Sequence, residues 1–346
     1  MSTNYFNEII LAAPRRVALP IAVYPGLALT GATVRDVVTN PQAQFDALAA
    51  LQERYHLPFV LAAMDLSAEA EAFGCTVDFS ETEVPSVNGR LVTTLEQARR
   101  LSVPQPGDRR TAVYLETVLR LQGLPNKPGV LGGCIGPFSL AARLVGVSEA
   151  MEMTVTEPEL MHTLLEKTTR FLSGYVRAFR EAGASGVIMA EPAAGLLSPA
   201  SLAALSSRYV RQIAEAQEDA RFALVLHNCA AKRLHLSAVL ETGLKTFHFG
   251  APMEIGSALK EVPADVVLCG NLDPTAVFVQ LSPAEITARV NALLVATSDH
   301  PNFVLSSGCD LPARTPLASL DTFHAAAGNL FPPAREAKKK EGFHKI

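Results

Sequence analysis

His227, Asn228 and Cys229 stand directly after one apolar run, and Cys309 stands just after another, much later in the chain. In extended backbone the side chains of residues i and i+2 point to the same side, so His227 and Cys229 can face one point in space. One imidazole and two thiolates form a borderline-soft donor set that suits Zn²⁺ in tetrahedral geometry. Three protein ligands leave a fourth position open, as catalytic zinc sites do, whereas structural zinc usually shows four ligands in tight pairs. A plainer reading makes Cys229 and Cys309 small buried packers and His227 a hydrogen-bonded turn residue. Spacing alone leaves both readings open.

Carboxylates follow other apolar runs. They are Asp65, with Glu69 and Glu71 beyond it, Glu191 before Pro192, Asp273 before Pro274, and Asp310 beside Cys309. Glu191 and Asp310 are the candidates for catalytic work next to the three donors, either filling the fourth position or orienting His227. Asp65, Asp273 and His248 are the candidates to bind substrate. Each has a structural alternative: Asp273 as a helix cap, His248 as a satisfied core histidine. Cys269 closes an apolar run and reads first as packing. Cys134 lies in the Gly-rich turn Gly132-Gly133-Cys134-Ile135-Gly136-Pro137, which could cradle an anion or serve only a tight strand-to-helix passage. Cys75 has no assigned role. No GxSxG, HExxH or Walker-type loop is present.

Positioning these residues requires a particular frame. Continuous apolar runs, the mark of strands covered on both faces, occupy residues 18–23, 58–62, 129–133, 186–190, 222–226, 245–249, 265–269 and 302–305. Apolar residues at helical spacing lie between them, as in 158–181, 199–217, 283–297 and 317–330; Ser198-Pro199 and Ser282-Pro283 offer an N-cap followed by Pro in the first turn. The alternation predicts an α/β fold, a single-domain (β/α)₈ TIM barrel with its core over about residues 18–330, and a doubly wound open sheet as the runner-up. No GxGxxG supports a dinucleotide-binding version. In a barrel the functional side chains sit after the C-terminal ends of the strands, which is where the candidates fall. Residues 76–92 depart from the alternation and predict a β-hairpin insertion turning at Asn88-Gly89. The charged tail, 335–346, reads as a solvated terminus.

Composition bounds the partners. Of 346 residues, 30 are Lys or Arg and 34 Asp or Glu, a net charge of −4, which argues against a nucleic-acid partner. Hydrophobic residues make up 49%, enough for a folded core. No apolar stretch reaches the roughly 18 residues of a membrane span, and no basic segment with an apolar run behind it opens the chain. Five scattered cysteines without a CxxC make a poor disulfide framework. The expectation is a soluble, cytoplasmic protein without membrane or nucleic-acid partners.

Several stretches carry a resemblance. They are MDLSAEAEAFGC at 64–75, GPFSLA at 136–141, EPAAGLLSP at 191–199, GNLDP at 270–274, and HNC at 227–229 with GCD at 308–310. Together they resemble the uroporphyrinogen decarboxylase superfamily, and more closely its corrinoid-dependent methyltransferase branch, typified by methylcobamide:coenzyme M methyltransferase. The GPF, LLSP and GNLDP pieces are shared across the superfamily; the HxC…C set is specific to the methyltransferase branch. The resemblance spans about residues 20–330. It implies a TIM barrel, with catalytic zinc bound by His227, Cys229 and Cys309. It further implies a methyl-corrinoid (cobalamin) co-substrate on a partner corrinoid protein, and a small thiol such as coenzyme M, or another acceptor such as a folate. The zinc would lower the pKa of a thiol in its open position, and the thiolate would attack the corrinoid methyl group. One departure bears on the alternative, a tetrapyrrole decarboxylase. The decarboxylases carry an N-terminal motif with Arg and Gln that grips propionates, and the matching residues 18–26 (ALPIAVYPG) lack both. A non-catalytic corrinoid or tetrapyrrole carrier is the third class, disfavoured by the intact HxC…C set.

Overall fold

The frame is described here from a computed structural model, which covers residues 4–328; the tail at 335–346 lies outside the described residues. Among the described residues nine strands occur: β1 (Phe59–Leu61), β2 (Thr76–Asp78), β3 (Ser86–Asn88), β4 (Gly129–Ile135), β5 (Gly186–Ala190), β6 (Ala223–Asn228), β7 (Thr246–Phe249), β8 (Val267–Leu272) and β9 (Phe303–Ser307). Seven of them make one parallel sheet in the order β1-β4-β5-β6-β7-β8-β9. The apolar runs predicted strands buried on both faces, and every residue of β4, β5, β6, β7 and β9 is buried.

The sheet curls in the TIM-like manner. Phe59 and Leu61 of β1, Leu131 of β4, Ile188 of β5, Val225 of β6, His248 of β7, Cys269 of β8 and Val304 of β9 all line one internal space of about 30 Å³. Leu19, Pro20 and Ile21 line it too. Helices connect the strands, the longest being Pro158–Glu181, which buries Leu164, Phe171, Tyr175 and Phe179 along one side. Ser198 accepts from the Ser201 amide at 3.2 Å, and Ser282 forms a capping box with Glu285. The run predicted as one helix over 199–217 is instead Pro199–Leu202, a π-turn at Ala203–Ser207 and Arg208–Gln217. Among the described residues no helix is long and apolar enough to cross a membrane.

Two expectations need correction. No eighth strand forms over 18–23; Ala18 bridges Leu305 of β9 in parallel, outside any strand. Leu19 N donates to Leu305 O (2.9 Å), but the Ile21 amide goes to the Ser307 hydroxyl (3.0 Å) rather than continuing a backbone ladder. Alternation turns the Pro20 nitrogen away from β9, to the side where a β1 partner would lie, and proline has no N–H to give. The second correction concerns the hairpin turn. β2 and β3 do pair antiparallel, with Val77 opposite Val87. The connection is residues 79–85; Asn88 ends β3 and Gly89 follows it, rather than the pair closing a two-residue turn. Ser80 takes over the turn: its hydroxyl accepts from the Thr82 and Glu83 amides at 3.2 and 3.3 Å.

Candidate metal centre

β6 delivers His227 in its last turn of backbone and Cys229 one residue past its end; β9 delivers Cys309 two residues past its own. The imidazole and the two sulfurs lie within 4.8 Å of one another, and among the described residues this is the one such group of three. His227 is 2% exposed, and its Nε2 is buried without a hydrogen-bond partner. A buried imidazole nitrogen that faces two thiols and makes no well-formed hydrogen bond suits an electrophile placed between them. The donor set and the orphaned nitrogen therefore fit a tetrahedral, borderline-soft metal ion with an open position. The hydrogen bond from Cys309 holds Cys229 down at about 7, and the same bond pushes Cys309 up to about 12. One sulfur is thus ready as a thiolate near neutrality.

These three residues open onto a cavity of about 410 Å³ at the C-terminal ends of the strands. Its apolar wall includes Val34, Met64, Leu66 and Val87, and its polar wall includes Tyr24, Arg143 and Asp310. Asp310 is half-buried, but both of its carboxylate oxygens are shielded from solvent and no well-formed hydrogen bond reaches either. Burial, and then the neighbouring Cys309, push its pKa well above the carboxylate range. The Tyr24 hydroxyl is likewise buried without a partner. Arg143 is half-buried and has no hydrogen-bond or ion-pair partner among the described residues. Unpartnered cationic and neutral polar groups thus converge on one cavity, as binding sites require.

The remaining expected residues lie elsewhere. Glu191 adjoins His227 through its backbone, its amide donating to the His227 carbonyl at 2.8 Å, but its carboxylate turns to another helix. It is fully buried at the start of helix Pro137–Val145, where Oε1 accepts from Phe138 N (2.9 Å) and Oε2 from Ser139 N and Oγ (2.9 and 2.6 Å). A carboxylate there satisfies free amides and the helix dipole, and burial still raises its pKa. Asp65 is saturated by structure: Oδ1 accepts from Ser67 N and Oγ, and Oδ2 from Arg110 and the Tyr114 hydroxyl. Asp273 caps the turn after β8, accepting from Thr275 N and Ala276 N at 2.9 and 2.6 Å. His248 stands behind His227, not on the cavity wall; the two Nδ1 atoms are 2.9 Å apart. Cys75, Cys134 and Cys269 are buried free thiols. Burial raises the pKa of each, to about 11 at Cys75.

Sequence reasoning missed Arg143 and Tyr24. A signal for Arg143 was present: it is the one charged residue in the apolar stretch PFSLAARLV, where every other residue is buried. Tyr24 could not be singled out, because its value lies in a hydroxyl left without a partner, which only the packing shows.

Comparison with known proteins places this arrangement. Methylcobamide:CoM methyltransferase MtbA of Methanosarcina acetivorans is 28% identical over 299 residues, covering 84% of this chain and 86% of that protein. Uroporphyrinogen decarboxylase of Paraburkholderia xenovorans is 27% identical over 294 residues, covering 80% and 79%. The solved structure of a methyltransferase from Methanosarcina mazei superposes with a TM-score of 0.83 over 94% of this chain and 97% of that one, at 23% identity, which speaks for the fold. The family description uroporphyrinogen decarboxylase (URO-D) matches residues 20–330, so the chain belongs to the uroporphyrinogen decarboxylase family.

Proposed function

We propose that this chain is a zinc-dependent methyltransferase that moves a methyl group between a methyl-corrinoid, carried by a partner corrinoid protein, and a small thiol. The observation that carries the reading is the orphaned Nε2 of His227 facing Cys229 and Cys309 at the floor of the one cavity they share. Zinc held by these three residues would supply a Lewis acid that keeps an acceptor thiol deprotonated at neutral pH. The rest falls to the chain's own side chains. Cys229 and Cys309 as ligands would leave electron density on the centre, so that an acceptor thiol would stay nucleophilic. The apolar wall, Met64 and Leu66 included, excludes water from the reacting sulfur. Arg143 supplies a counter-charge for an acceptor that carries an anionic group, and the Tyr24 hydroxyl can donate to the same group. The acceptor and the corrinoid enter through the mouth of the barrel, and residues 18–330 act as one catalytic domain.

Uroporphyrinogen decarboxylase, the name of the Paraburkholderia relative, is the second reading. Residues 18–26 lack the cations a set of propionates would need. Asp65, the carboxylate after β1, has its lone pairs taken by Arg110, Ser67 and Tyr114. Both count against it. The experiment is metal content with thiol-dependent demethylation of methylcobalamin. Purified protein should hold about one zinc per chain, and Cys309→Ala should lose both the metal and the transfer. Full zinc occupancy in a His227→Ala, Cys229→Ala double variant overturns the assignment, and metal-independent turnover of uroporphyrinogen establishes the second reading instead.

A further inference from the structure

The parallel register sets His227 of β6 directly beside His248 of β7. Their Nδ1 atoms are 2.9 Å apart, a hydrogen bond in which one ring donates and the other accepts. The direction is fixed from the far end. His248 Nε2 lies 2.9 Å from the Ser306 hydroxyl, and that hydroxyl lies 2.7 Å from the Leu19 carbonyl. A carbonyl can only accept, so Ser306 gives it the single proton of its hydroxyl. Toward His248 the same oxygen must then accept, and His248 Nε2 carries the hydrogen. A neutral imidazole with its proton on Nε2 has a bare Nδ1, which accepts from Nδ1–H of His227. His227 is thereby left with a lone pair on Nε2, the atom that faces Cys229 and Cys309 without a partner.

We infer that His248, anchored by Ser306 and the Leu19 carbonyl, is a positioning residue. It selects the Nδ1–H tautomer of His227, so that Nε2 is presented to a metal ion as a ready donor. The inference rests on the zinc reading for its purpose, but not for its geometry. A metal-bound histidine usually donates its other ring N–H to a carboxylate or a backbone carbonyl. Here a second histidine and a serine carry that polarity from a carbonyl on the segment that fails to become the eighth strand. His248 is 3% exposed and sits on the inner side of β7, so it reaches substrate only through His227.

The test reads the tautomers directly, in metal-free protein labelled with ¹⁵N at histidine. Long-range ¹H–¹⁵N correlations should show His227 protonated at Nδ1 and His248 protonated at Nε2. The reverse pattern at His227 overturns the inference. Ser306→Ala removes the anchor without touching either ring and should give His227 as a mixture of tautomers; a single unchanged Nδ1–H tautomer also overturns it. Competition with a chelating dye then measures zinc affinity. His248→Phe should weaken it about 10- to 100-fold. His248→Gln, whose amide can both accept from His227 and donate to Ser306, should restore most of the loss. Wild-type affinity in a folded His248→Phe refutes the positioning role. Wild-type protein that binds no zinc refutes the proposed function instead, while the tautomer pattern still decides the relay.

Discussion

Arg143→Gln separates recognition of charge from methyl transfer. Arg143 projects from an otherwise buried helix into the cavity that holds His227, Cys229 and Cys309, and it has no hydrogen-bond or ion-pair partner among the described residues. Burial draws its pKa down, with Asp65 opposing, yet a guanidinium keeps its charge in proteins. A half-shielded cation of this kind gains most when an anionic ligand meets it. A hydrogen bond to a charged group contributes about 1.5–3 kcal/mol, and about 1.4 kcal/mol is a factor of ten. Loss of the guanidinium should therefore lower kcat/KM about 10- to 150-fold for a thiol bearing a sulfonate or carboxylate. The loss should fall on KM, because the contact is made equally in the ground and transition states. For the neutral thiol 2-mercaptoethanol kcat/KM should stay as in the wild type. The assay is demethylation of methylcobalamin followed by its visible absorbance, with a charge series of acceptors from 2-mercaptoethanesulfonate to cysteamine. Zinc content should be unchanged, and thermal stability should not fall, because no partner is lost. An equal loss for charged and neutral thiols, or no loss for either, refutes the assignment of Arg143 to the acceptor's anion.

Other variants probe the groups that turned out to be structural. Glu191→Ala leaves Phe138 N, Ser139 N and the Ser139 hydroxyl without their acceptor, which should cost about 3–5 kcal/mol in denaturant unfolding. Zinc stoichiometry should survive in the folded fraction; loss of the metal in a folded variant would return Glu191 to the metal centre. Gly136→Ala should be destabilised as well, since a Cβ there would stand 2.3 Å from Glu191 Cγ; a melting temperature equal to wild type would show that Glu191 can move. Glu69 is fully buried, and desolvation pushes its pKa up to about 8 against an ordinary value near 4.5. The folded state therefore favours the protonated form, and that contribution is complete below pH 4.5 and lost as pH rises through 8. Glu69→Gln should match the wild type at pH 4.5 and melt several degrees higher at pH 9; a constant difference across this range would show that Glu69 does not titrate as its burial dictates.

The strands were legible where burial acts uniformly. Runs such as Gly186-Val187-Ile188-Met189-Ala190 are covered on both faces, and their composition says so without any knowledge of neighbours. The segment 18–23 has the same apolar composition but fails as a strand, because a ladder needs amides and Pro20 lacks one on the side where β1 would pair. Asn88-Gly89 fits a tight turn, yet Ser80 offers a competing set of hydrogen bonds a few residues earlier. The grouping of His227, Cys229 and Cys309 was legible because the chemistry that singles them out is in their side chains. Glu191, Asp65 and Asp273 were not, because a carboxylate's role depends on which amides and cations reach it. Glu191 meets a helix from a different crossover, and Asp65 meets Arg110. His248 was legible as a strand-end histidine and misplaced by one layer; its partner is set by the register of β6 against β7, which no local pattern contains.

The donors His227 and Cys229 come from β6 and the third, Cys309, from beyond β9, with two whole strand-and-crossover units between them. A chain still being synthesised and ending short of Cys309 holds only an imidazole and one thiol, too few to retain zinc against ordinary cellular ligands. Under the proposed zinc reading, metal loading would be a late event, after β9 has joined the sheet. The ion would then tie the two distant strands together, and the free energy of binding it would be added to that of keeping the sheet curled. Slow hydrogen exchange in β9, gained on adding zinc and lost on chelation, would be the visible trace of that clasp.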